Sequence, residues 1–202
     1  MFKKLASEAL GLSDIGTIIQ PKDYGSVDAD DYLFHEDGEK IFFLIKSRKD
    51  EYCFTNLALI HVDGDSAVSS KRTIRRHDYA DARIERVTIE TAGTVDMDVE
   101  LKFSIGGTAF SIDVRKQFLE QLKDVYKALI AIGRLQARDE DNRSHAFKVL
   151  GAMSSMYRIG QVGLPRDLPD QFNALLDNLN EAVHVRHTRR DFGEVFSRYI
   201  HG

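Results

Sequence analysis

The sequence predicts an α+β protein: an antiparallel β-sheet over the first two thirds of the chain, one helix after it, and then a helical hairpin. Three observations carry this. Val95, Met97, Val99, Leu101, Phe103 and Ile105 alternate with polar residues, a period of two that only a strand with one buried face presents. The pairs Asp63-Gly64 and Gly106-Gly107 fall between strand candidates, where residues able to take positive φ close tight hairpins. From Phe118 the apolar spacing switches to three and four.

In chain order, Phe2, Leu5, Ala6, Ala9 and Leu10 predict a short amphipathic N-terminal helix. Strand candidates follow from Lys40 to Val114: IFFLIKSR, EYCFTNLALIHV, SKRTIRRHDY, ARIERVTIET, VDMDVELKFSI and TAFSIDV. Phe118, Leu122, Val125, Tyr126, Leu129 and Ile130 then share one helical face, and Gly133 marks an expected helix end. The run ARDEDNR from Ala137 to Arg143 reads as a linker or a fully solvated helix. The domains are therefore expected at 1–135 and 136–202.

In the second part, Ala146, Phe147, Leu150, Met153 and Tyr157 mark one helix and Leu168 to Ile200 another. A turn is expected at Gly160 to Pro165 and a break near Thr188. Such a pair cannot bury both apolar faces alone, so Phe147, Leu150, Phe172, Leu176, Leu179, Phe192 and Phe196 are candidate oligomerisation contacts. Deletion after about Gln136 is expected to leave the first domain folded.

Composition narrows the function. With 28 basic and 32 acidic residues in 202, no global positive charge draws the chain to nucleic acid. One cysteine, Cys53, excludes an internal disulfide and fits a reducing cytoplasm. No stretch reaches the roughly 18 to 20 apolar residues of a membrane span. Phosphate-binding glycine loops, G-x-S-x-G elbows and H-E-x-x-H pairs are missing, so no residue receives a catalytic role and no cofactor or metal is expected.

The run Tyr52 to Gly64, YCFTNLALIHVDG, followed by a basic strand, His77-Asp78-Tyr79 and Ile84, resembles the bacterial pleckstrin-homology-like (PH) domain family. That resemblance covers roughly residues 1 to 130 and implies a strongly bent antiparallel sheet or barrel capped by a C-terminal helix. The remainder is similar to the YvbH-like C-terminal helical region of longer members, a region associated with oligomerisation. The resemblance further implies closed homo-oligomeric rings whose hydrophilic surface binds a protein partner. There is no tryptophan, which the eukaryotic branch places in its C-terminal helix, so phosphoinositide binding is not carried over.

Among individual residues, Arg72, Arg75, Arg76 and His77 form a basic strand with polar faces, expected at a sheet edge as a partner or subunit interface. Lys46, Arg48 and Lys49 end another strand and are candidates for phosphate or lipid contact, offset by Asp50 and Glu51. Glu181, His184 and His187 share a helical face, yet the nearby Arg186, Arg189 and Arg190 favour a solvated, ion-paired face over a metal site. The leading expectation is a non-catalytic ring-forming scaffold. The alternative is a peripheral membrane adaptor using the N-terminal helix with Lys46, Arg48 and Lys49.

Overall fold

The structure, a computed structural model, describes residues 14–64, 72–91, 98–159 and 168–200. The expected N-terminal helix, the Gly160 to Pro165 turn and the Phe172 side chain lie outside the described residues. The chain forms two compact units, residues 1–133 together with 190–202, and residues 134–189.

The first unit holds two antiparallel sheets. One has the order β1 (Thr17–Ile18), β2 (Ile41–Lys46), β3 (Asp50–Thr55), β4 (Ala58–Gly64), β5 (Arg72–Asp78). The other is β6 (Ile84–Thr91), β7 (Asp98–Ile105), β8 (Thr108–Arg115). They meet where Gly16 bridges Val114, its amide donating to the Asp113 carbonyl at 2.7 Å. Only glycine fits there, because a Cβ on Gly16 would stand 2.6 Å from Ile45 Cγ2. At the other end β6 bends through a register shift after Glu85, where Arg86 takes a left-handed φ of 55°.

The alternation over β7 is realised: Val99, Leu101, Phe103 and Ile105 are buried and their neighbours half-buried. Gly106 and Gly107, both at positive φ, close the hairpin to β8, where Ile105 pairs with Thr108. The Asp63-Gly64 expectation is corrected. Asp63 pairs with Thr73 and Gly64 with Arg72, so both sit inside the β4–β5 ladder rather than at a two-residue turn.

The core lies between the sheets, where Phe54 packs on Phe43 and Phe103, and Phe103 stacks on Phe110 at 5.1 Å. The five-stranded sheet is buried on its other face too. Three 3-10 turns, Pro21–Ser26, Asp28–Tyr32 and His35–Asp37, place Val27, Ala29 and Leu33 against Leu44, Cys53, Ile60 and Val62. Buried carboxylates hold these turns down. Glu51 accepts from the Ala29 amide at 2.8 Å, and Glu39 from the Phe34 amide at 2.9 Å.

After β8, helix α1 runs from Leu119 to Ile159 without interruption. Leu122, Val125, Ala128, Leu129 and Ile132 are buried, as the helical spacing predicts. Gly133 does not end the helix. It lies within it against β6, where a Cβ would meet the Ile84 carbonyl oxygen at 2.5 Å. The segment 137–143 is the solvated-helix alternative, not a linker. Helix α2 (Leu168–Asn180) continues into a π-helical turn, Glu181–Arg186, and helical structure then stops before α3 (Gly193–Tyr199), giving the expected break near Thr188.

The largest correction concerns the C-terminus. Phe192 and Phe196 are fully buried, but in the first unit. Phe196 stacks on Phe42 at 5.5 Å, and Phe192 meets Tyr79 edge-on at 5.8 Å. They are therefore core residues of the β domain rather than oligomerisation contacts. The first domain needs residues from about Arg190 onward, and a boundary at 135 that assigns them to the hairpin does not hold.

Candidate functional site at the β5 edge

Strand β5 ends its sheet, as the basic, alternating sequence predicts. Ile74 packs into the core beneath the 3-10 turns, which puts Arg72 and Arg76 on that same face and Thr73, Arg75 and His77 on the other. The arginines are neutralised in place. Arg72 Nε lies 3.8 Å from Asp28, Arg75 Nη1 2.7 Å from Asp63, and Arg76 donates to Glu39 at 2.9 Å and Asp78 at 2.8 Å. Arg76 also lies over the half-exposed Phe34 ring, 4.6 Å from its centroid. The edge is thus polar but not a free cationic surface.

On the opposite face His77 meets Phe110 edge-on at 5.5 Å, and His61 meets the same ring at 5.8 Å. His61 stacks on Tyr52 at 4.5 Å and its Nε2 lies 3.1 Å from Asp50. His77 Nε2 is buried without a hydrogen-bond partner. Burial, helped by His61 and Arg75, holds the His77 imidazole below its ordinary pKa and favours the neutral ring.

The proposed phosphate cluster does not form. Lys46 is buried and its ammonium pairs with the buried Glu51, which itself holds the 3-10 turn at Asp28 and Ala29. Arg48 pairs with Asp14 at 3.0 Å, and only Lys49 joins it in exposure. Lys46 is a structural cation because Glu51 directly faces it across the β2–β3 pair.

In the second unit Phe147 is 55% exposed and Val149 58%, while Leu150, Leu176 and Leu179 are half-buried. Glu181 accepts from Arg186 at 3.0 Å, while the His184 side chain lies outside the described residues, which contain no group of metal ligands. Burial pushes the Cys53 thiol well above its ordinary pKa, which suits a core residue.

Sequence reasoning named Glu51 as offsetting the Lys46 cluster, which its pairing with Lys46 bears out, but missed Glu39 and Asn56. The Thr55 hydroxyl lies 2.5 Å from Glu39 and accepts the Ala58 amide at 2.8 Å, while Asn56 accepts the Lys40 amide at 2.8 Å and donates to Asp191 at 2.8 Å. The F-T-N run, Phe54 to Asn56, was the visible signal, since Thr and Asn at a strand end commonly bond backbone in turns.

Comparison with known proteins gives the same architecture. The uncharacterized protein YvbH of Bacillus subtilis (strain 168) is 48% identical over 206 residues, covering 99% of each chain. The uncharacterized protein YjqA of the same organism is 36% identical over 98 residues, 48% of this chain and 76% of YjqA. The crystal structure of a PH-domain-containing bacterial protein from Exiguobacterium sibiricum 255-15 is 45% identical, with a TM-score of 0.81, covering 93% of this chain and all of the other. It shares the PH-like fold of antiparallel sheets followed by a long helix and shorter ones. The family model described as bacterial PH domain matches residues 9–132, and the chain belongs to that family.

Proposed function

We propose that this chain is a non-catalytic scaffold that assembles into a cyclic homo-oligomer and presents a hydrophilic surface to a protein partner. The observation that carries the reading is the apolar exposure in the second unit. Phe147 and Val149 lie two residues apart, on different sides of α1, and both face water. A helix that leaves large apolar groups exposed on two sides lacks packing partners, and a neighbouring copy supplies them.

The polar outer face of the β6–β8 sheet supplies the surface for the partner. Lys102 there bridges Glu90 at 2.8 Å and Glu100 at 2.9 Å, and Glu90, Glu100 and Asp113 face one another across the three strands. Light scattering on the purified chain tests the assembly. A mass that is a multiple of 22.9 kDa, reduced by Phe147→Asp, is expected, and a monomer at all concentrations overturns the reading.

A further inference from the structure

Strand β5 is the last of its sheet, and its register shows which backbone groups point away from β4. The Tyr79 amide donates to the Leu57 carbonyl at 2.9 Å, which makes Leu57 and Tyr79 a hydrogen-bonded pair. Pairs of that kind alternate along an antiparallel ladder, so His77, Arg75 and Thr73 bond to Leu59, His61 and Asp63. The other side of β4 agrees. There the Gly64 amide donates to the Lys49 carbonyl at 3.1 Å, so Val62 and Ile60 bond to β3. Ile74 and Arg76 therefore turn their amides and carbonyls outward, and among the described residues no backbone group bonds to them on that side. The next outward carbonyl, that of Asp78, is closed by the Asp81 and Ala82 amides.

The flanks of this stretch suit an added strand. Charges guard a sheet edge when covering them would leave them without partners. On β5 each arginine already has a carboxylate of its own chain, Asp28 for Arg72, Asp63 for Arg75 and Glu39 with Asp78 for Arg76, so a covering strand isolates none of them. The half-exposed Phe34 ring beside Arg76 offers an apolar floor on the same face. Around that ring the surface is acidic. Residues 28–39 contain no lysine or arginine, and Asp31, Glu36 and Asp37 are exposed.

We infer that β5 is a strand-addition site for an extended, basic segment of a partner protein, taken up on the outward backbone groups of Ile74 and Arg76. Main-chain bonds of this kind give affinity, and alternate side chains give selectivity. A strand bonded to Ile74 and Arg76 places two residues, i and i+2, on the face of Phe34 and the residue between them on the side of Arg75 and His77. Apolar side chains at i and i+2 cover Phe34 and the partly buried Ile74, and lysines beyond them reach the carboxylates of the 3-10 turns. The charge of the flank selects a basic segment over an acidic one. No ring is required, and the surface is separate from the outer face of β6–β8.

The test adds the labelled peptide Lys-Lys-Val-Thr-Val-Lys-Lys to the full chain. Fluorescence anisotropy should show saturable binding that weakens with salt. N-methylation of both valines removes the amides that face β5, and at least about tenfold weaker binding is expected for two lost hydrogen bonds. The peptide with glutamate in place of every lysine should also bind more weakly. Hydrogen exchange read residue by residue by mass spectrometry locates the site, with the Ile74 and Arg76 amides fast in the free chain and slow with peptide.

No binding at millimolar peptide overturns the proposal, as does equal binding of the glutamate peptide. Protection confined to the 3-10 turns, with Ile74 and Arg76 unchanged, reports charge attraction alone and overturns strand addition. Ile74 and Arg76 amides already slow in the free chain reveal an edge that a second copy or another segment covers, and that too overturns it.

Discussion

The Arg76 guanidinium and the Glu39 carboxylate meet at 2.9 Å, with the Glu39 side chain wholly withdrawn from water and Arg76 one fifth exposed. Glu39 also accepts from the Phe34 amide and contacts the Thr55 hydroxyl, so one buried carboxylate ties β5, the last 3-10 turn and the end of β3 together. Removing one member of such a pair leaves a charge without its partner in a poorly solvated place.

Arg76→Met should therefore lower unfolding free energy by about 3 kcal/mol, the lower end for breaking a buried pair. Arg76→Met with Glu39→Gln should recover part of that loss, because no buried charge is then left unpaired and only the partly exposed Asp78 loses a partner. Urea denaturation of the two variants measures the difference.

Phe196→Ala should cost about 3–5 kcal/mol, as for other buried aromatic truncations. Deleting everything after Gln136 removes Phe192 as well, and their combined loss is comparable with the whole stability of about 5–15 kcal/mol of an ordinary domain. The truncated chain should lack a cooperative thermal transition, and adding a peptide spanning residues 189–202 should restore one.

Gly133→Ala sets two effects against each other. Helix propensity favours alanine by about 1 kcal/mol in a helix interior. The added Cβ would stand 2.5 Å from the Ile84 carbonyl oxygen, which is backbone and cannot rotate away, and overpacking of this kind costs about 1–3 kcal/mol. Net destabilisation, read as a lower denaturation midpoint, is expected. Gly151→Ala, with nothing within 4 Å of its added Cβ, should be stabilising.

His77 makes stability depend on pH. Its folded pKa lies below the ordinary 6.5, so above that value neither state carries the proton and nothing is lost. As pH falls below 6.5 the unfolded chain takes up a proton that the folded chain refuses, and stability drops until the folded pKa is passed. His77→Phe should flatten the slope of the melting temperature just below pH 6.5.

What the sequence shows and hides follows from range. Val99, Leu101, Phe103 and Ile105 declare a strand because the period of two is local, and Gly106-Gly107 declares its turn because positive φ is a property of the residues themselves. The 3-10 turns over 21–37 are too short to carry a period. Segment 137–143 hid its helix because a solvated helix needs no apolar stripe. Phe192 and Phe196 show the right spacing for a helix face, but spacing is blind to whether that face meets a neighbouring helix or Tyr79. Of the site, the edge position of β5 and the offset of Lys46 by Glu51 were legible, whereas the partner of Arg76 was not, since Glu39 meets it only through long-range packing.

The late return of the chain to Tyr79 also orders events during synthesis. At ribosomal rates of roughly 5–20 residues per second, the roughly 110 residues separating Tyr79 from Phe192 take on the order of ten seconds to emerge. Once β8 has emerged, the growing β domain has its strands but leaves Phe42 and Tyr79 without the aromatic rings that cover them. Completion of the fold thus waits on the segment from Phe192 to Phe196, and a product released before it would leave that aromatic face uncovered.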